Sequence, residues 1–372
     1  MRIFVWQWGK FGVGPRYAYE LAGALSDLGH ETLLSLAEGA EAMHSPRIRK
    51  AVDLPLQTYS TNMQFLQRTL RIRAILRPLL TRLEASPPDA AIVTMTGYWD
   101  IFLMRRLRRL GVPVVILIHD AQMHPGDSVR VMVRLQKELV RLSSGVITLS
   151  DFVARQLRAR MSLANKVQAT IPLAALDFTD LDLPPPSLSP PSPERPLRLL
   201  MAGRLIRYKG LDLFADALKS IGNDVRLSVR VVGSADDDRD LDSLRAIASV
   251  ELALGWKSDR EIIAHLDWAD ATVLPYVEAS QSGVVPMSFS RGRPVIATPV
   301  GGLPEQVQSG KTGIVTEGAT PLAIAAAIRT LAEDRQLLRR YAENALHHAR
   351  DEISWRVLAP AFADTLQKVA RH

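Results

Sequence analysis

The stretch MAGRLIRYKGLDL, residues 201–213, decides the fold class of this chain. A leucine-rich run before it predicts a buried strand, and the apolar spacing from Leu211 onward predicts an amphipathic helix. Arg204 and Lys209 are therefore expected at the carboxyl end of a strand, beside the positive end of a helix. Open α/β sheets bind ligands at this edge, and two cations there suit a diphosphate. On these residues alone, a loop with solvated cations is the competing interpretation.

Two more glycine-bearing loops follow predicted strands in the same half of the chain. The first, LPYVEASQSGV at residues 274–284, continues a strand predicted at 271–274. The second, GRPVIATPVGGLPE at residues 292–305, contains a strand at 294–297 and then a tight Gly301-Gly302 turn, where a ligand can approach the backbone closely. Three such loops after three strands of one sheet indicate a ligand site more strongly than any one of them.

The first of these loops leads into a short predicted helix. Its first residues are Ser282, Gly283 and Val284, and Pro286 is tolerated because it falls in the first turn. The first amides of a helix have no partner within the helix. We therefore expect these three amides to hold phosphate oxygens.

A proline-rich segment divides the chain into two halves of similar pattern. Residues 177–196 include LPPPSLSPPSP, which forbids helix and central strand and predicts an extended linker. On both sides, predicted strands alternate with helical segments, which indicates parallel sheets covered by helices. The predicted fold is therefore α/β, with one domain over residues 1–176 and another over residues 197–354. The predicted strands are 2–6, 32–36, 90–95, 114–118 and 145–149 before the linker, and 197–201, 227–232, 250–254, 271–274 and 294–297 after it.

Composition restricts the class of protein further. A chain of 372 residues with 47% hydrophobic residues suits two packed domains. It has no cysteine, which excludes disulfides and thiolate metal sites. The start reads as a strand rather than a signal peptide because residues 7–10 interrupt the apolar run, and no apolar run approaches the roughly 20 residues of a membrane span. We therefore expect a cytoplasmic protein, with the inner face of the membrane as an alternative location.

Positive charge is concentrated in the first half of the chain. Residues 1–176 hold 23 Lys and Arg against 13 Asp and Glu, a net charge of +10, whereas the whole chain carries +7. A predicted helix from Phe65 to Leu83 has arginines opposite an apolar face, which fits either contact with an anionic membrane or a solvated helix face. Nucleic acid is not an expected partner because no recognised module appears. The arginines of the two clusters are Arg68, Arg71, Arg73, Arg77 and Arg82, and Arg105, Arg106, Arg108 and Arg109.

Together these motifs resemble the retaining glycosyltransferases of family 4, and the resemblance covers nearly the whole chain. The matching motifs are Gly203-Arg204…Lys209-Gly210, Leu254-Gly255-Trp256…Ser258-Asp259-Arg260-Glu261-Ile262, Gly292–Ala297 and Gly301–Glu305, with Gly12-Val13-Gly14, Glu20–Ala22, Leu28–Glu31 and His119-Asp120 in the first half. The resemblance implies the GT-B fold, in which two Rossmann-like, doubly wound domains face a central cleft. It also implies that the carboxyl-terminal helix, residues 355–372, packs back on the first domain.

The same resemblance implies an activity. A nucleotide diphosphate sugar, such as a UDP- or GDP-sugar, is the donor, and a saccharide or lipid-linked molecule is the acceptor. Such an enzyme serves cell-surface polysaccharide or glycolipid synthesis and needs neither a cofactor nor a metal.

Candidate roles follow residue by residue from the matching motifs. His119 is placed near the donor sugar and the reacting centre, and Gly12 and Gly14 form a loop that faces the donor phosphates and the acceptor. The pair Trp256-Lys257 lies where the family binds the nucleotide base, although a tryptophan there also suits simple packing. The candidates for catalysis are His119, Arg204, Lys209 and Glu278, and those for donor binding are Gly12, Gly14, Arg204, Lys209, Trp256, Lys257, Ser282, Gly283, Val284 and Glu305.

One motif departs from the family. The family usually has two glutamates separated by seven residues around the phosphate-binding helix, and the matching positions here are Ala279 and Met287. Glu278 lies one position early and is the candidate replacement for the first. Met287 cannot accept a hydrogen bond from a ribose as a carboxylate does. Members with Gln-Ser-Gly-Val in this loop, residues 281–284 here, resemble this chain, which favours variation over lost activity.

Three other functions stay open. A nucleotide-sugar epimerase of the same fold needs acidic pairs in the cleft, for which the sequence gives no clear evidence. A two-domain solute-binding protein also closes a cleft between α/β domains, but it normally carries an export signal. A subunit that binds a nucleotide without catalysis stays open because the two glutamates are missing.

Overall fold

The computed structural model describes residues 1–121, 129–188, 194–235, 237 and 241–371, and of residues 129–131 only the backbone. The chain forms two compact units. Unit 1 comprises Met1–Pro172 together with Trp355–His372, and unit 2 comprises Leu173–Ser354. Each unit has its own parallel sheet and its own apolar core.

The described part of unit 1 contains six parallel strands separated by helices. The strands are β1 (Arg2–Gln7), β2 (Glu31–Leu36), β3 (Ala90–Val93), β4 (Val114–Ile118), β5 (Gly145–Thr148) and β6 (Val167–Thr170). The helices are α1 (Gly14–Asp27), α2 (Pro46–Ala51), α3 (Asn62–Leu70), α4 (Ile72–Ala85), α5 (Asp100–Arg109), α6 (Val129–Leu142) and α7 (Asp151–Arg160). The strand order is β2-β1-β3-β4-β5-β6. Because helices cover both faces of such a sheet, its central strands are continuous apolar runs, as β4 is.

The described part of unit 2 repeats this pattern with the order β12-β11-β10-β7-β8-β9 for the strands defined here. They are β7 (Leu197–Ala202), β8 (Leu227–Gly233), β9 (Val250–Leu254), β10 (Ala271–Leu274), β11 (Val295–Ala297) and β12 (Gly313–Val315). The helices are α8 (Leu211–Ile221), α9 (Asp242–Arg245), α10 (Asp259–Trp268), α11 (Val284–Ser290), α12 (Leu303–Gln306), α13 (Pro321–Glu333) and α14 (Arg335–Asp351). The predicted α/β class with two doubly wound parallel sheets is confirmed.

Each sheet has a point at which the strand order reverses. In unit 2 the chain runs outward from β7 to β8 and β9, and then returns to place β10 on the other side of β7. In unit 1 the neighbours β1 and β3 have the same relation. The connections on the two sides of such a pair leave in opposite directions, which opens a crevice at the carboxyl ends of the strands. Candidate site residues follow β1 at the reversal point of unit 1, and β7 and β10 at that of unit 2. The remaining candidates follow other strands of the same sheets: His119 follows β4, Trp256 and Lys257 follow β9, and Glu305 follows β11.

The last helix, α15 (Trp355–Ala370), belongs to unit 1. Its first residue, Trp355, donates from Nε1 to the buried carboxylate of Glu20 at 2.8 Å. The Trp355 ring also meets the Tyr17 ring edge to face, with 4.7 Å between centroids. These contacts fix α15 against α1.

The proline-rich segment is fastened to unit 2 over its described part. Arg291 donates to the carbonyl of Pro184 at 3.0 Å, and Arg293 donates to that of Ser187 at 3.1 Å. Arg260 donates to the carbonyl of Leu181. Residues 189–193 of the predicted linker lie outside the described residues.

The structure also corrects the predicted elements. The edge strands β6 and β12 were not predicted; the exposure of β6 alternates, and only the first residue of β12 is buried. The helix predicted from Phe65 to Leu83 is two helices, α3 and α4, which meet at Arg71. No helix of the described residues is long and apolar enough to cross a membrane.

Candidate functional site

The loops after β7 and β10 pack backbone against backbone at the reversal point of unit 2. Gly210 has φ +74°, and a Cβ built on it falls 1.7 Å from the carbonyl oxygen of Pro275. The amide of Val277 donates to the carbonyl of Tyr208 at 2.9 Å. Only glycine fits this approach without moving one of the two loops. The sequence motif Lys209-Gly210 is therefore placed directly beside the start of the second loop.

The two predicted cations lie on the first of these loops. Arg204 is exposed just beyond the end of β7, after Gly203 with φ +121°. Lys209 ends a short 3-10 turn, and its Nζ lies 3.7 Å from the centroid of the Tyr276 ring. That ring is buried, with 1% of its surface exposed. A ring face attracts an ammonium without cancelling its charge, so Lys209 is oriented and still able to meet an anion.

The second loop is held by a residue that the sequence did not single out. The Gln306 side chain accepts from the amide of Ser282 at 2.8 Å and donates to the carbonyl of the same residue at 3.1 Å. The hydroxyls of Tyr276 and Ser282 lie 3.2 Å apart. Because Gln306 lies 24 residues further along the chain, no local pattern reveals this clamp. The matching motif Gly301–Glu305 ends one residue before Gln306 and so did not point to it.

The clamp changes which backbone groups face a ligand at the start of α11. The amide of Ser282 is engaged by Gln306, and that of Val284 lies 3.3 Å from the hydroxyl of Ser282. Among the described residues, the amide of Gly283 has no such partner. The expectation that all three amides hold phosphate stays a prediction, and Gly283 is the member best disposed to it.

The loop after β11 packs against the loop after β10. Gly301 has φ +58°, and a Cβ built on it falls 1.4 Å from the carbonyl oxygen of Ala279. The hydroxyl of Thr298 donates to the carbonyl of Tyr276 at 2.6 Å. Three loops from neighbouring strands therefore fix one another through backbone contacts, as a preorganised binding site requires.

The positions that match the family glutamates are apolar and packed. Ala279 and Met287 are 4% and 7% exposed, so neither presents a polar group to a ligand. Glu278 is partly exposed on the loop after β10. Glu305 is exposed in the first turn of α12, where a carboxylate is favoured by the helix dipole.

The strand β9 brings two further candidates to the same edge of the sheet. Trp256 is 48% exposed, so it does not serve packing alone. Lys257 donates from Nζ to the carbonyl of Leu254 at 2.7 Å. A capping box between Ser258 and Glu261 then begins α10.

In unit 1, His119 follows β4 and faces two other elements. Its Nε2 lies 2.8 Å from the carbonyl oxygen of Thr94, and its ring meets the Tyr17 ring edge to face at 6.5 Å. Because a carbonyl oxygen only accepts, Nε2 carries the hydrogen and Nδ1 keeps its lone pair in the neutral ring. Burial lowers the pKa of His119 below 6.5. The hydrogen bond to Thr94 and the charge of Asp120 act in the other direction and raise the pKa, but by less. The imidazole is therefore mainly neutral at pH 7, with Nδ1 as an acceptor.

The predicted glycine loop connects β1 and α1 at the same edge. Gly12 has φ +76°, and Gly14 begins α1 with proline following. A Cβ on Gly14 falls 2.8 Å from Nε2 of Gln7, so glycine makes room for that buried side chain. Gly12 and Gly14 thus lie in unit 1 with His119, whereas the other predicted site residues lie in unit 2.

Asp100 is a buried carboxyl that the sequence did not indicate. It accepts from Trp6 Nε1 at 2.9 Å and from the amide of Gly97 at 2.5 Å, which fixes the segment between β3 and α5. Burial raises its pKa to about 7, although both hydrogen bonds favour the anion. Among the described residues, no group of three or more His, Cys, Asp or Glu side chains could hold a metal ion.

Comparison with known families and proteins gives consistent matches. The family described as "Glycosyl transferase 4-like domain" matches residues 12–174, and "Glycosyl transferases group 1" matches residues 196–334. An alpha-D-kanosaminyltransferase of Streptomyces kanamyceticus is 26% identical over 66% of this chain and 67% of its own length. A D-inositol 3-phosphate glycosyltransferase of Streptomyces bingchenggensis is 31% identical over 51% of this chain, and the match spans only 43% of its length.

A solved structure matches over both units. Anabaena HepE in complex with UDP and glucose has a TM-score of 0.74 and 18% identity, with 99% of this chain and 100% of that chain covered. At this identity the likeness establishes a shared fold.

Proposed function

We propose that the chain is a glycosyltransferase of the GT-B fold, which moves a hexose-type sugar from a nucleotide diphosphate donor to a saccharide or lipid-linked acceptor. The matches to the two glycosyltransferase families and the fold shared with HepE support this proposal. The proposal places it in the family 4 subset with Gln-Ser-Gly-Val, residues 281–284, and in cell-surface polysaccharide or glycolipid synthesis. The observation that carries it is the site at the reversal point of unit 2. There Arg204 and the oriented Lys209 lie on the loop after β7, whose backbone packs against that of the loop after β10.

We assign the donor diphosphate to this edge. Arg204 offers a bidentate contact and Lys209 a point charge, and the amide of Gly283 adds a donor at the positive end of α11. Trp256 and Lys257 are assigned to the nucleotide, and Glu305 to the ribose. The UDP bound by HepE makes a UDP-sugar the first donor to test, with GDP-sugars next.

The proposed chemistry is metal-independent and retains the configuration of the sugar. As the bond to the sugar breaks, negative charge grows on the leaving diphosphate, and fixed cations stabilise it. The phosphate itself helps to remove the proton of the attacking hydroxyl. His119 and the loop with Gly12 and Gly14 are assigned to the sugar and the acceptor, and Glu278 to the role of the first family glutamate.

One alternative is supported by a specific observation. Ala279 and Met287 are buried where the family usually has glutamates, so a subunit that binds a nucleotide without transfer is the second candidate. An epimerase of the same fold has no comparable support in the described residues. We propose that the enzyme needs no cofactor, because the nucleotide sugar is a substrate. We also propose that the protein is located in the cytoplasm.

A donor panel distinguishes the candidates. Purified protein is incubated with UDP-, GDP- and ADP-sugars, and release of the nucleoside diphosphate is measured with and without candidate acceptors. A transferase consumes the donor and releases one nucleoside diphosphate for each sugar transferred. The release is slow when water accepts the sugar and faster when the acceptor is present. Nucleotide binding without release on any member of the panel supports the non-catalytic subunit instead, and interconversion of the donor sugar supports an epimerase.

A further inference from the structure

Helix α3 presents exposed apolar side chains that no described residue covers. Met63, Leu66 and Leu70 are 64%, 60% and 83% exposed, and no residue of α3 is buried. Their spacing of three and four residues puts them on one face of the helix. Contiguous apolar residues on a surface mark a binding site more often than isolated ones do.

The residues of α3 and α4 that face the interior of unit 1 keep the same helical spacing across both helices. Arg71 alone separates the helices, and the amides of Ala74 and Ile75 both donate to its carbonyl, at 2.9 and 3.1 Å. In α3 the inward residues are Phe65, whose ring meets that of Tyr59, and Thr69, whose hydroxyl accepts from Trp99. The same spacing continues in α4 through the buried residues Ile72, Leu76, Leu79, Leu80 and Leu83.

Beside this inner face, the exposed residues of the two helices change from apolar in α3 to cationic in α4. We define the α3–α4 stripe as Met63, Leu66, Leu70, Arg73 and Arg77. It is about 21 Å long at the rise of an α-helix. Neither Arg73 nor Arg77 forms an ion pair with a described residue. Residues 62–85 contain five arginines and one acidic residue, Glu84, which pairs with Arg106.

Not every arginine of this cluster is available to a partner. Arg68 faces sideways and donates to the carbonyl of Thr58. Its role in unit 1 is therefore structural, and the cationic half of the stripe is Arg73 and Arg77.

The stripe begins beside the loop assigned to the acceptor. Lys10 donates from Nζ to the hydroxyl of Ser60 at 2.5 Å, and Thr61 caps α3. Phe11, next to Lys10, is 73% exposed, and Gly12 follows it. A surface that engages the stripe therefore lies next to the β1–α1 loop.

We propose that the α3–α4 stripe docks unit 1 on an anionic phospholipid surface. Met63, Leu66 and Leu70 enter the interfacial layer, and Arg73 and Arg77 meet lipid phosphates. The uncompensated cations favour an anionic surface over a second copy of this chain, whose own stripe carries the same charge. The docking is independent of donor binding, and only its purpose, access to a lipid-linked acceptor, rests on the proposed function.

Vesicle co-sedimentation of the full chain tests this assignment. The vesicles contain phosphatidylcholine, with or without phosphatidylglycerol, at low salt. Leu66→Ser with Leu70→Ser removes the apolar half, and Arg73→Gln with Arg77→Gln removes the cationic half. We expect both pairs to release the protein, the arginine pair with affinity about thirtyfold weaker for two lost cations. The matched controls in unit 2 are Leu322→Ser, at a leucine that is 73% exposed, and Arg340→Gln with Arg350→Gln.

The outcomes separate the proposal from its rivals. Wild-type protein that does not sediment with phosphatidylglycerol vesicles, or stripe variants that sediment like wild type, overturns it. A stripe variant that lowers the mass of the protein in solution without vesicles assigns the surface to a second copy instead. UDP binding is measured on the same samples, so a failure of the proposed function leaves the vesicle result interpretable.

Discussion

Lys209 is oriented by an aromatic ring rather than by a carboxylate. A carboxylate partner would neutralise the ammonium, whereas the ring of Tyr276 holds it and leaves its charge available. The tyrosine is in turn linked to Ser282, whose backbone Gln306 clamps. A single cation is thereby connected to the loops that follow β10 and β11.

Asp100 makes the stability of unit 1 depend on pH. Burial raises its pKa from 3.8 to about 7 in the folded protein, so the folded state binds the proton more tightly than the unfolded state does. Its contribution to the free energy of unfolding is full below about pH 3.8 and is lost as the pH rises through about 7. The loss is at most about 4 kcal/mol at about 1.4 kcal/mol per pKa unit.

The variant Asp100→Asn isolates this effect because asparagine does not titrate. We expect the difference in free energy of unfolding, wild type minus variant, to fall between about pH 4 and about pH 7. Urea denaturation at several pH values measures it. A difference that is constant with pH, or that rises, contradicts the raised pKa.

The three interlocked loops of unit 2 predict which glycines matter for binding. Gly301→Ala and Gly310→Ala both place a side chain at positive φ, so both lose about 1 kcal/mol to backbone strain. Only the first also brings a Cβ against the carbonyl of Ala279, whereas a Cβ on Gly310 meets no atom within 4 Å. We therefore expect Gly301→Ala to displace the loop after β10 and weaken UDP binding by about tenfold or more, as loss of a preorganised contact does. Gly310→Ala is the matched control, and equal UDP affinity in the two variants refutes the loop contact.

The strands and loops differ in how well the sequence predicts them. The buried strand β4 is an uninterrupted apolar run, and β10 is apolar apart from the buried Thr272; both were predicted with their bounds. The edge strand β6, with the sequence VQAT, has neither an apolar run nor a long alternation, and its place is set by pairing with β5. The parts of the candidate site also differ in how well the sequence predicts them. The loops were found because glycines and cations follow strands, but the clamp by Gln306 and the burial of Asp100 depend on contacts between distant segments.

At the scale of the whole molecule, the chain leaves unit 1 and returns to it. The return is secured by Trp355, which is 6% exposed and bonded to Glu20. Replacing a buried tryptophan by alanine costs about 3–5 kcal/mol. Because these contacts lie within unit 1, Trp355→Ala should lower the unfolding temperature of that unit, while saturating UDP should raise that of unit 2.

Differential scanning calorimetry with and without UDP measures both effects. The variant should retain the shift caused by UDP, because the nucleotide is assigned to unit 2. Loss of UDP binding in Trp355→Ala at a temperature where the protein is folded would place the nucleotide elsewhere.

The most direct test of the donor site is calorimetric titration of UDP into the wild type, Arg204→Ala, Lys209→Ala and the control Arg207→Ala. Arg207 is an exposed cation of the same turn that was not assigned to the diphosphate. We expect one UDP per chain for the wild type and for Arg207→Ala. Each of the other variants should bind at least about tenfold more weakly, the loss for one charge-assisted hydrogen bond. Equal UDP affinity in all four proteins, or no binding by the wild type, contradicts a diphosphate site between Arg204 and Lys209.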